Sequence, residues 1–158
     1  MKIPGLFIAA LIILVACTKK VGTNPDLAYS DFAMLDSINK PLYYYKNNST
    51  IIYPGSNGPH GPHKLRFNSI GFKALVDSGK LPLTKKMPDG SLIVKDVYDG
   101  NNAISYYAFM YKLSGSWIWG EIKPNKEVLY SVNKNPSTCI GCHSQIGNRD
   151  LVTSFYFH

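Results

Sequence analysis

The sequence predicts an α+β fold: a mainly antiparallel β-sheet, with short helices at its N-terminal side and a last helix carrying Cys-x-x-Cys-His. Three observations predict it. Strand-like runs crowd the second half of the chain, at "SLIVKDVYD", "AISYYAFMYKL", "SWIWGEI" and "EVLYSV". The breaks between them are short, which favours antiparallel pairing in a meander over parallel crossovers. Helical spacing is confined to short stretches on either side of these runs.

The first 16 residues stand apart from the domain. Lys2 is followed by an apolar run over residues 3–16, interrupted only by Pro4 and Gly5. It is short for a membrane span, which needs ~20 residues, and fits the apolar region of an export signal. "LVAC", ending at Cys17, resembles the lipobox of bacterial lipoproteins. That resemblance implies removal of residues 1–16 and lipidation of Cys17, anchoring the exported chain in the bacterial cell envelope, at the periplasmic side or outer membrane. Residues 17–26 then form a polar tether, and the domain spans 27–158.

Within the domain, residues 27–39 carry a loose helical spacing after an Asn-Pro-Asp start. "YPGSNGPHGPHK" is loop by its prolines and glycines. "KLRFNSI" reads as a short strand, and "SIGFKALVDSGKLP" as a short helix ended by Gly79. Asp89-Gly90 and Asp99-Gly100 punctuate the strand between them. Ser114-Gly115 and "KPNK" separate the next three strands. "STCIGCHSQI" reads as a helix with Ser137 or Thr138 as its N-cap, and "LVTSFYFH" as a closing strand. No internal repeat is present.

The 17 basic side chains, even without Lys2, outnumber the 10 acidic ones. In an exported chain this excess suits anionic surfaces or acidic redox partners. The lysines are scattered, which argues against nucleic acid.

With Cys17 assigned to the lipid, two cysteines remain, Cys139 and Cys142, beside His143. On a helical turn, positions i, i+3 and i+4 share one face. Two thioethers there can hold a porphyrin edge while the imidazole reaches its iron, the spacing of c-type haem attachment. A structural zinc site needs four ligands and would have to borrow His60 or His63. A redox dithiol expects a βαβ context, where this chain has a meander. Export to a compartment where haem is attached supports haem c, with His143 as its metal ligand.

Three blocks of the chain are similar to the cytochrome P460 family: "HGPHKLRFNSIGFKAL", "PDGSLIVKDVYD" and "CIGCHSQIGNRDLVTSFY", with "WIWGEI" matching a Trp-rich strand between them. The resemblance covers roughly residues 40–158. It implies an antiparallel sheet cupping one c-type haem, commonly in a homodimer, with the motif histidine proximal and the opposite side of the iron open. It implies oxidation of hydroxylamine where a lysine is joined to the porphyrin, and binding of nitric oxide, as in the related beta-type cytochromes c-prime, where it is not. The crosslinking position falls on Lys95. Strand alternation puts Lys95 on one face with Ile93 and Val97. Spacing alone leaves open whether its amine is desolvated and nucleophilic or snorkels to solvent.

The open side of the pocket has weaker candidates. Phe67, Phe72, Tyr107 and Phe109 are apolar candidates that also suit an ordinary core, as do Met34, Met87 and Met110 as iron caps. His60 and His63 read as solvated loop histidines. Arg66 and Arg149 suit haem propionates, although Arg149 and Asp150 also read as a structural pair. Trp117, Trp119 and Glu121 share a strand face, where a buried Glu121 can accept protons. The chain thus reads as a haem protein acting on small nitrogen oxides or, alternatively, a gas-binding or electron-transfer cytochrome of the same fold.

Overall fold

The computed structural model describes residues 42–55, 59–77, 79–134 and 136–153. The signal, Cys17 with its tether, the helix expected over 27–39, Met34 and residues 154–158 lie outside these. The six strands are β1 (Tyr43–Tyr44), β2 (His63–Phe67), β3 (Leu92–Tyr98), β4 (Ile104–Leu113), β5 (Ser116–Ile122) and β6 (Val128–Lys134). They pair antiparallel in chain order, a meander. Helix α1 (Ser69–Lys73) lies between β2 and β3, and α2 (Ser137–His143) follows β6. The first described α-helix therefore follows the second strand; it does not precede the sheet. No helix among the described residues is long and apolar enough to cross a membrane.

Local chemistry explains the corners. Asn68 ends β2 and caps α1, its Oδ1 accepting from Gly71 N at 2.9 Å. The same oxygen accepts from Leu92 N, and Nδ2 donates to Gly90 O. One side chain thereby stops a strand, starts a helix and seats the next strand. The β4–β5 hairpin turns through Ser114 and Gly115, both at positive φ, as a two-residue turn matched to strand twist requires. Two expected details differ. The residue before α2 is Pro136, with no side-chain cap; its ring fixes the extended entry that a hydroxyl cap was expected to supply. The start of the expected closing strand, Leu151 to Thr153, forms a turn with one bridge between Arg149 and Val152.

The two sheet faces differ. Phe67, Ile93, Met110 and Trp119 stand opposite one another across β2 to β5. All four are buried and merge with Tyr45, Leu81, Met87, Trp117 and Val152 into the main core. Burying each such side chain contributes ~1.5–3 kcal/mol. The other face carries Leu92, Val94, Phe109, Ile118 and Ile122. Arg66 lies on that face too, donating to both carboxylate oxygens of Asp96 at 2.7 and 2.5 Å. Its guanidinium is therefore committed away from the main core, and Tyr107 lies beneath it.

The chain end is tied to the core by Asp150. Its Oδ1 accepts from Lys112 Nζ at 2.7 Å and its Oδ2 from Met87 N at 2.9 Å. Its carbonyl accepts from Trp117 Nε1 at 2.7 Å. Lys112 and Asp150 side chains are 4 % and 8 % exposed, so neither charge has water to fall back on. Arg149 donates to Leu81 O; the expected pairing of Arg149 with Asp150 is replaced by these separate ties. Asp150→Ala should cost about 3–5 kcal/mol, the usual loss when one buried ionic partner is removed. Lys112→Met added to it should recover part of that loss, as read by urea denaturation midpoints.

Candidate functional site

A second row of side chains crosses the core face of the sheet next to the apolar one. Leu65 pairs with Lys95, Lys95 with Ala108, Ala108 with Glu121, and Glu121 with Tyr130. Ala108 is small, so the sheet is left open between the lysine and the glutamate. Helix α2 closes over this gap. Its Thr138 hydroxyl is 3.3 Å from Tyr130 Oη, and the His143 ring meets the edge of Trp119 at 4.5 Å and 77°.

The result is a cavity of about 260 Å³, far more than the ~10–15 Å³ that admits one water. Cys139, Cys142 and His143 line it from α2, Lys95 from β3, and Trp119 and Glu121 from β5. The structure thus brings together the four residues that motif spacing and family resemblance single out, from elements far apart in the chain. Cys139 and Cys142 are free thiols, the second exposed. Burial pushes the Cys139 thiol up.

His143 ends α2 with Nδ1 at 2.6 Å from Leu151 O. A carbonyl only accepts, so Nδ1 carries the hydrogen and Nε2 keeps its lone pair. Burial brings this imidazole down to about 4, against the pull of the Leu151 bond, and it stays neutral at ordinary pH. The Leu151 carbonyl is presented by two successive left-handed residues, Asp150 and Leu151, at φ 49° and 64°. Non-glycine residues adopt that conformation only where their surroundings hold them in it. The Asp150 ties supply the hold.

The remaining expected residues divide clearly. Met110 lines the cavity, whereas Met87 and Phe67 are core and Phe72 stacks on Tyr43 at 4.8 Å. Tyr107 and Arg66 belong to the opposite face, and Trp117 to the Asp150 network. The two histidines expected in solvent are not there. His63 is 1 % exposed within β2, and His60 lines the cavity. Their loop folds inward because Tyr53 and His63 bridge through paired backbone hydrogen bonds. Tyr106, Ala108 and Tyr130 were not singled out. Only the pairing register, which shows each one's strand neighbours, brings them to the site.

No known family model matches this chain, and neither does any curated protein or solved structure.

Lys95 carries an electrostatic signature of its burial. Burial lowers its amine from the ordinary 10.5 to about 8. Between those values the unfolded chain binds a proton that the folded chain has released, so stability rises with pH across that window. Lys95→Met should flatten this rise and be the more stable protein below pH 8, measured as urea midpoints at a series of pH values.

Proposed function

We propose that this chain is an exported c-type haem protein resembling cytochrome P460, tethered through a lipid on Cys17 and acting on hydroxylamine or nitric oxide type substrates. The observation that carries the reading is one apolar cavity lined at once by both motif cysteines, the motif histidine, Lys95 and Glu121.

The donor set suits that group. Among the described residues, no three His, Cys, Asp or Glu side chains are grouped to hold a bare metal ion. A haem iron brings four nitrogens of its own and asks the protein for one. His143 offers Nε2, with its orientation set by the Leu151 bond and the Trp119 edge, as ligating histidines usually require. Cys139 and Cys142 would supply the thioethers. Trp119 lines the cavity, and its buried Nε1–H has no acceptor among the described residues, a donor left over for a polar edge of a bound group.

When bound, haem would supply an iron that takes electrons from a small nitrogen compound and hands them to a redox partner. The protein's own residues do the rest. Leu65, Ile93, Ala108 and Met110 give the cavity apolar walls, beside which electrostatic contacts are stronger than in open water. Burial pushes the Glu121 carboxyl up, which makes its carboxylate a better proton acceptor. The depressed Lys95 amine is largely neutral a little above pH 8, the form able to join the porphyrin as the resemblance implies. The alternative, a gas-binding or electron-transfer cytochrome of the same fold, has less use for a half-buried carboxylate facing the cavity; Glu121 favours turnover.

The mature chain should be produced with haem-maturation machinery and its haem-bearing peptides mapped. Haem on the peptide holding Cys139, Cys142 and His143 is the expected result, and its absence would sink the reading. A second attachment at Lys95, with a red-shifted reduced band that Lys95→Leu abolishes, marks the crosslinked form. Turnover of hydroxylamine with an added electron acceptor separates enzyme from binder, and Glu121→Gln should slow it about 10²-fold or more.

A further inference from the structure

A second imidazole reaches the cavity. His60 enters from the Gly-Pro loop ahead of β2, with its side chain 17 % exposed. Its Nδ1 is 3.2 Å from Tyr106 Oη and 3.9 Å from Glu121 Oε1. The Tyr106 hydroxyl also lies 3.5 Å from Pro59 O, so it can donate there while accepting from Nδ1. Nε2 then has no partner among the described residues. Tyr106 and Glu121 come from neighbouring strands, and the small Ala108 directly opposite Glu121 leaves the carboxylate's side of the cavity open.

We propose that His60 relays a proton from a protic ligand in the cavity to Glu121. The proposal rests on the haem reading above and adds a residue to it. In the relay, the ligand's bond to hydrogen breaks as its proton moves onto His60 Nε2. The Nδ1–H bond breaks as that proton passes to Glu121 Oε1. The ring ends in its other tautomer, the carboxylate becomes a carboxylic acid, and the ligand is left as its conjugate base. No electron changes hands. The Nδ1 to Oε1 gap must close by roughly 1 Å, within the tightening that catalytic hydrogen bonds undergo when ligand binds.

The surroundings suit a relay better than a store of charge. Burial first, then Lys95 from β3, His143 from α2 and His63 from β2, hold the His60 imidazole down to about 3. Tyr106 from β4 is held by burial in its neutral form, with Glu121 adding to that. A ring so disfavoured as a cation passes a proton through without keeping it, and Glu121 receives it.

The test compares two ligands on the haem-loaded protein by stopped flow. Cyanide, below the pKa of hydrogen cyanide, must lose a proton to bind as the anion; nitric oxide carries none. His60→Ala should slow cyanide association about tenfold or more at neutral pH, with a far smaller effect on nitric oxide. The difference should close above the pKa of hydrogen cyanide. His60→Gln, which keeps the side chain's bulk, should behave the same way. Glu121→Gln should slow cyanide too, and the double variant should be no slower than the slower single, because the two act in series. The relay is overturned by an unchanged cyanide rate in His60→Ala, by equal slowing of both ligands, or by losses that multiply in the double variant. It is equally overturned if His60→Ala converts a six-coordinate resting spectrum to a five-coordinate one, which would make His60 an iron ligand. Absence of covalent haem at Cys139 and Cys142 would instead sink the underlying reading, and the relay with it.

Discussion

Asp150 is a buried carboxylate whose partners come from three separate parts of the chain. Lys112 reaches it from β4, Met87 from the loop before β3, and Trp117 from β5 through the Asp150 carbonyl. Those bonds hold Asp150 and Leu151 in left-handed backbone, and that backbone aims the Leu151 carbonyl at His143 Nδ1. The tautomer of His143, and the availability of its Nε2, therefore depend on an ion pair that does not line the cavity. A charge buried away from the site is costly unless paired; here the paired charge sets the orientation of the imidazole that α2 turns to the cavity.

Within the cavity, burial pushes every shifted group toward its neutral form. Lys95, His60 and His143 lose basicity, and Glu121 gains it. The cause in each case is first the loss of water. The fixed charges nearby are drawn off into pairs: Lys112 with Asp150 at the edge of the core, Arg66 with Asp96 on the far face of the sheet. On the haem reading proposed above, such a cavity suits small uncharged ligands such as hydroxylamine and nitric oxide, and only the first brings protons for these groups to take.

Much of this was legible in the sequence, for reasons that differ by residue. The meander follows from alternation and from turns such as Ser114-Gly115, whose backbone needs are local. Cys139, Cys142 and His143 are local too, since a single helical turn sets their common face. Lys95 was legible as to face, but whether its amine was buried depended on α2 closing over the sheet, a contact more than forty residues away. His60 was misread because a loop rich in glycine and proline normally lies in water. The bridge between Tyr53 and His63 that turns it inward is long-range information. Arg149 and Asp150, neighbours in sequence, have partners from elsewhere in the chain, which adjacency could not reveal.

The most direct measurement is a crystal structure of the mature chain purified with its haem. It should show His143 Nε2 on the iron with Nδ1 still bonded to Leu151 O, thioethers at Cys139 and Cys142, and the opposite side of the iron open toward Glu121 and His60. A second protein ligand on the iron, or His143 turned away from a haem seated elsewhere, would contradict it.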